Sequence, residues 1–393
     1  FWKILINMEK IMKTKARVIA FYLPQYYPVK ENDEMWGKGF TEWRNVAKAK
    51  PLFKGHYQPQ LPADLGFYDL RIPEVREEQA KMAREAGIEG FCYWHYWFGN
   101  GKRILDMPFN EVLTSGKPDF PFCLGWANHS WSNKTWQKLD RFQKDTTFIE
   151  QLYPGKEDYE AHFYAMLPAF KDSRYITVDD KPLFLIYAAE QLPNAKEFID
   201  TWNELAHKNG LKGFHFVARA ASTGTLNPRI SRKKLFNSVN ERYNKLLSLG
   251  FDAISSSTLK QADIMTKGYY RKMLNILLSR KSFQLGTERY DYKKIIEHLY
   301  YPEDERQDVY PQLVPRWDKT PRKGRDAQIY YNSTPEYFRK SIKYALDKIK
   351  DKPDEKKILF LFAWNEWGEG AYMEPDLKYG HGYLDVLREE ICL

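Results

Sequence analysis

Cysteine is scarce: three residues in 393, with Cys92 and Cys123 in apolar stretches and Cys392 one residue from the end. Their spacing suits neither a disulfide framework nor a zinc site, so a reducing compartment is expected. Long apolar runs are missing too. None exceeds the seven residues of Ile358 to Trp364, far short of the roughly 20 that a membrane-spanning helix needs. There is no His-Glu-x-x-His, no P-loop and no Gly-x-Gly-x-x-Gly, which removes common signatures of zinc peptidases and nucleotide-binding enzymes. Asp-x-Asp is also absent, which counts against a common metal-and-nucleotide-sugar site. No metal and no cofactor are expected. The stretch Phe1 to Met8 lacks the basic start, apolar core and small-residue cleavage site of a signal peptide. The expected location is therefore cytoplasmic.

Rings are abundant: 12 Trp, 27 Tyr and 24 Phe make up 16% of the chain. Flat ring faces serve both a large core and sites that stack on bases or sugars. Hydrophobic residues at 43% and charged residues at 29% fit a globular protein with a sizeable core. The net charge is +9, from 61 basic and 52 acidic residues. Asn227 to Ser282 holds 12 basic residues and three acidic ones, which is the same +9. The remainder is neutral overall. That distribution argues against a nucleic-acid partner and for one local anion-facing patch or a solvated basic face. Within it, Tyr269 to Phe283 spaces apolar residues at roughly helical intervals among four basic ones. Such a helix either packs on the body of the protein or lies on an anionic membrane surface. Peripheral membrane contact is thus a further expectation.

Short apolar runs alternate with segments of helical period. Eight strands are expected: Arg17–Gln25, Ile88–Trp97, Pro121–Trp131, Leu183–Glu190, Gly213–Ala220, Phe251–Ser257, Gln312–Trp317 and Ile358–Trp367. Helices are expected between or after them, among them Pro73–Ala86 and Pro335–Lys350, each with proline in its first turn. Eight such units predict an α/β fold, a (β/α)8 TIM barrel with long βα-loop insertions. Residues 1–16 would form an N-terminal extension. Residues 17–393 would form one barrel domain, with an insertion at about 257–311.

In such a barrel the chemistry sits at the C-terminal strand ends. There the sequence collects Trp36, Glu42 and Trp43 after strand one, then His95, Tyr96, Trp126, Asn128 and His129 after strands two and three. Trp317 and Asp318 follow strand seven, and Trp364, Asn365, Tyr372 and Glu374 follow strand eight. All are candidate substrate contacts. Glu366 and Glu369 are the candidate catalytic pair, because glycoside cleavage needs two carboxyl groups near the scissile bond. On a helical turn, a spacing of three puts both on one side. The plainer alternatives are loop-surface acids, hydrogen-bonded structural histidines, core tryptophans, and an ion pair between Glu190 and Arg219.

These stretches resemble the WbsX-like family, also called glycoside hydrolase family 99-like, of bacterial surface-polysaccharide proteins. The resemblance rests on Ala20–Tyr26, Asn32–Trp43, Gly55–Asp69, Gly90–Trp97, Trp126–Asn128, Trp317–Arg322 and Trp364–Asp376. It implies a (β/α)8 barrel acting on glycans, similar to retaining endo-α-mannosidases. Carried across by position, it implies Glu369 as general acid/base and Glu366 as the base assisting attack by the sugar's 2-hydroxyl. His129 departs from the family pattern, which more often has Glu there. The implied partner is a glycan or oligosaccharide, lipid-linked in polymer assembly. Three readings stay open: a retaining glycosidase on α-linked, mannose-like glycan, a glycosyltransferase, and a non-catalytic glycan-binding barrel.

Overall fold

The computed structural model describes residues 13–133, 146–221, 239–268, 270, 274 and 287–393. Among these residues, nine strands form the path of an eleven-stranded central sheet: β1 (Arg17–Tyr22), β2 (Ile88–Trp97), β3 (Phe122–Trp126), β4 (Lys181–Ile186), β5 (His215–Ala221), β6 (Ala253–Ser257), β7 (Val309–Tyr310), β8 (Gln312–Leu313) and β9 (Ile358–Leu361). Every pairing along this path is parallel. β7 pairs with β6 and β8 pairs with β9, while β9 pairs with β1. The two short strands therefore fill one barrel position between them. The result is the expected (β/α)8 barrel.

Residue type explains the strands. β3 and β9 are apolar throughout and wholly buried, as parallel strands covered on both faces must be. Phe21 of β1 stacks on Trp94 of β2 and on Phe360 of β9, with centroids 4.6 and 5.1 Å away. Outer helices close the other face. Pro73–Glu85 and Pro335–Ile349 begin with proline at the first turn, and Thr334 caps the second through the Tyr337 N–H.

The seventh strand differs from the expected Gln312–Trp317. It starts earlier, ends at Leu313 and is interrupted at Pro311. Proline has no N–H for the ladder, but its carbonyl accepts from the Phe360 N–H at 3.0 Å. Strands three, four and eight also end four or more residues before their expected limits.

Two asparagines replace the ladder there. The Asn365 amide accepts from the Leu23 N–H at 2.8 Å and donates to the Leu23 carbonyl at 3.0 Å. Asn128 does the same to Ala188, accepting at 2.7 Å and donating at 3.3 Å. Each side chain imitates a paired strand residue and clasps a neighbouring strand end. Asn365→Ala strands a buried N–H and C=O, so it should lower unfolding free energy by roughly 2 kcal/mol or more. Denaturant titration with unchanged far-ultraviolet dichroism is the check. A loss below about 0.5 kcal/mol, within the range of an ordinary surface substitution, would show that the clasp adds little.

The segment after β6 builds an annex. Glu288–Asp291 pairs in parallel with Gln328–Tyr331, apart from the barrel sheet. Tyr290, Tyr292, Ile295, Trp317 and Tyr330 form its own apolar cluster. The expected basic helix at Tyr269–Phe283 falls almost wholly outside the described residues. Among the described residues no helix is long and apolar enough to cross a membrane.

Candidate active site

The barrel mouth at the C-terminal strand ends holds a cavity of about 160 Å³. Strand alternation decides what faces it. Trp94 and Tyr96 line the cavity, while His95 between them points outward. His95 Nε2 meets His162 Nε2 at 2.8 Å, with His162 stacked on Trp97. Burial, then Arg103, pushes the His95 imidazole down to about 3, so it stays neutral. From β3 and its loop, His129 lines the cavity and lies against the Tyr187 ring. Burial, then Arg219, pushes it down to about 4.

Glu366 and Glu369 form the polar wall. Leaving β9, the chain turns through Trp367–Glu369 as one 3-10 turn, and Gly370 adopts φ 58° to end it. The Asp318 N–H donates to the Glu369 carbonyl at 2.8 Å and ties this turn to the strand-seven loop. Beneath it lies Arg322. Its Nη2 donates to Glu42 and to Glu366, both at 2.6 Å, and its Nη1 donates to Glu369 at 2.9 Å. Lys319 reaches Glu369 at 3.0 Å. Gly368 makes the stack feasible, since a Cβ there would stand 2.0 Å from Glu42 Oε2.

Two buried carboxyls, Glu42 and Glu366, and the partly buried Glu369 thus meet Arg322 and Lys319, with the Lys323 ammonium also acting on Glu369. Crowded carboxyls compete for these cations, so their proton affinities separate. Burial raises Glu366 well above the carboxylate range, helped by Glu42 and Glu369 and opposed by Arg322. Burial also raises Glu42. Glu369 goes the other way: burial pushes it up, but Lys319 and Arg322 together overcome that and hold it at about 2. The pair is therefore split, with burial favouring the proton on Glu366 and the neighbouring cations favouring the charge on Glu369.

The remaining candidates divide by position. Trp36 joins Tyr96 and His129 on the cavity wall. Glu42 sits behind it, fully buried on Arg322. Trp43 packs on Tyr26, Tyr68 and Trp367, and Trp126 donates to the Trp97 carbonyl at 2.9 Å. Asn128 and Asn365 are the clasps. Trp364 is fully buried against Phe91, and Tyr372 stacks on Trp367. Glu374 accepts from Tyr68, Gln79 and Trp367 at 2.6–2.9 Å, and burial lifts it to about 7 against those bonds. Asp318 is held by His56 and Gln58, both at 2.7 Å, and with Trp317 faces a second cavity. Glu190 pairs with Arg242 rather than Arg219.

Sequence reasoning did not select Arg322, Lys319, Gln25, Asn32 or Tyr187. Asn32 is buried on the cavity wall, and neither amide atom has a partner among the described residues. It offers one donor group and one acceptor to a sugar hydroxyl. Both Asn32 and Arg322 lie within motifs that carried the resemblance, but only the fold brings them together. Among the described residues there is no cluster of metal ligands.

Residues 18–387 match the family model described as glycosyltransferase WbsX. The chain belongs to the WbsX glycosyltransferase family. Membership and fold together make it a WbsX-family barrel. A relative in this comparison is the uncharacterized protein WxcX of Xanthomonas campestris pv. campestris strain B100, 32% identical over 379 residues. The alignment covers 96% of this chain and 50% of WxcX, so the chain spans about half the length of that relative. Among solved structures, a glycoside hydrolase-like protein superposes with TM-score 0.61 at 14% identity, covering 97% of this chain and 95% of that one. A family 99 endo-α-mannosidase from Bacteroides thetaiotaomicron superposes with TM-score 0.54 at 14% identity, covering 95% of each chain. At such identity the likeness is one of fold. The WbsX barrel shares the architecture of these glycoside hydrolases.

Proposed function

We propose that this WbsX protein is a retaining glycosidase on α-linked, mannose-like glycan in bacterial surface-polysaccharide metabolism. One observation carries the reading. Two carboxyls three residues apart share one guanidinium, and their environments drive their proton affinities in opposite directions. A pair split in this way supplies a proton donor and a base at the same pH. Trp36, Trp94 and Tyr96 offer ring faces for a sugar, and Asn32 offers an amide.

The opposite shifts of the two carboxyls support one division of roles. Glu366 gives its proton to the glycosidic oxygen as the C1–O bond breaks. Glu369 takes the proton of the sugar's 2-hydroxyl, whose oxygen bonds to C1 from the opposite face. Water then opens that intermediate at C1. Its proton passes to Glu366, and Glu369 returns a proton to the 2-oxygen. Both carboxyls end as they began, and configuration at C1 is retained.

The family's description favours a second reading, transfer from an activated sugar. Incubation of purified protein with labelled cell-envelope glycans, with and without sugar nucleotides, separates the two. Release of reducing sugar without a nucleotide is the expected result. Chain extension that requires the nucleotide would replace hydrolysis with transfer. Glycan binding without any product would leave a lectin-like barrel.

A further inference from the structure

A second, larger cavity of about 940 Å³ opens beside the first. One wall separates them: Trp317 lines the second, Phe362 lines the first, and their ring centroids are 4.8 Å apart. The second cavity is cationic. Among the described residues, Lys54, Lys267, Arg289, Arg316 and Lys378 line it, against the single carboxylate of Asp318. That carboxylate is already engaged by His56, Gln58 and Thr320. Among the described residues, Lys54, Arg289 and Lys378 show no ion pair. Rings hold two of them in place: Arg289 lies 4.7 Å from the Phe53 centroid, and Lys378 lies 4.9 Å from that of Tyr57.

The cavity also has buried donors. Arg316 is 5% exposed and lies 3.8 and 4.1 Å from the centroids of Tyr383 and Tyr372. Its Nη1 pairs with Asp376, but its Nε and Nη2 have no hydrogen-bond partner among the described residues. The same holds for Trp317 Nε1, also 5% exposed. Leaving buried donors unmet is costly, and a planar guanidinium edge matches a carboxylate or phosphate. A concave cluster of one sign concentrates counter-ions.

We propose that this cavity is an anionic subsite, taking a carboxylate- or phosphate-bearing unit of the same glycan whose neighbouring residues reach Glu366 and Glu369. The inference rests on the glycan reading for its ligand class. Its volume lies within the range of ordinary ligand pockets, about 300–1,000 Å³. The shared chemistry is an oxyanion on a saccharide.

Calorimetric titration of the full chain tests it with three probes of equal length: a neutral mannooligosaccharide, a uronic-acid oligosaccharide and a phosphorylated mannooligosaccharide. At least one anionic probe should bind tenfold or more tightly than the neutral one, with affinity falling as salt rises. Whichever anionic arm binds identifies carboxylate or phosphate as the group. The triple variant K54Q/R289Q/K378Q should lose that advantage without a change in thermal midpoint, because all three residues are exposed. Equal affinity for all three probes, or an advantage that survives the triple variant, overturns the subsite. Cleavage of neutral glycan with no anionic preference would sink the subsite alone. Anionic binding without turnover would keep it and sink the glycosidase reading.

Discussion

Glu366→Gln and Glu369→Gln should each reduce turnover of a natural glycan by about 10²–10⁴-fold, the usual worth of a positioned acid or base. They should differ on a substrate with an acidic leaving group, such as a nitrophenyl glycoside. Such a group departs without a proton. The loss in Glu366→Gln should then largely disappear from the bond-breaking step, because Glu366 is the carboxyl whose proton affinity burial raises. The loss in Glu369→Gln should persist, because the charge that Lys319 and Arg322 maintain has been removed. Glycan affinity should change little in either variant, which separates lost chemistry from lost binding. The opposite pattern, with rescue of Glu369→Gln, would restore the roles implied by the family resemblance. It would also show that bound sugar redistributes the proton. Unchanged turnover in both variants would remove catalysis from this pair.

The barrel was legible because its strands are buried on both faces. Such strands read as largely apolar runs, and β2 coincides with the expected Ile88–Trp97, broken only by Glu89 and His95. Their C-terminal limits were harder to read. Asparagine and tryptophan beyond a strand end look alike whether they face a ligand or clasp the next loop. Asn128 and Asn365 hold backbone, as their paired bonds to Ala188 and Leu23 show. Parity carried more information than position. In Trp94-His95-Tyr96 a strand must turn the first and third residues to one face and the second to the other. That rule alone separates the cavity-lining rings from the outward histidine. Glu366 and Glu369 were visible as a local pair. Their counter-charges were not, because Arg322 lies 44 residues from one and 280 from Glu42. Local pattern has no term for a cation that the barrel's closure delivers.

Arg322 should accordingly be the least replaceable charge in the site. Arg322→Met leaves Glu42 fully buried, with Oε1 deprived of its donor and Oε2 already without one among the described residues. Breaking a buried ion pair from one side typically costs about 3–5 kcal/mol, and that loss is expected at pH 7.5. The pH dependence follows from linkage. In the parent, Glu369 at about 2 lies below its unfolded value, so its stabilising contribution is present above about 4.3 and fades as pH falls toward 2. Glu42 and Glu366 are already raised, and without Arg322 they rise further. A raised carboxyl stabilises the fold below its unfolded pKa and loses that contribution as pH climbs through its folded value. The variant's deficit should therefore widen from pH 5 to pH 8. Adding Glu42→Gln to Arg322→Met should recover part of it, because a neutral amide needs no counter-charge, whereas independent sites would simply add their losses. The acid limb of the pH–rate profile should also move upward, since Glu369 loses one of the cations that hold its pKa down. Denaturant midpoints at several pH values and the rate profile decide the matter. A deficit that stays constant with pH, together with strictly additive losses in the double variant, would show that Arg322 serves packing rather than charge.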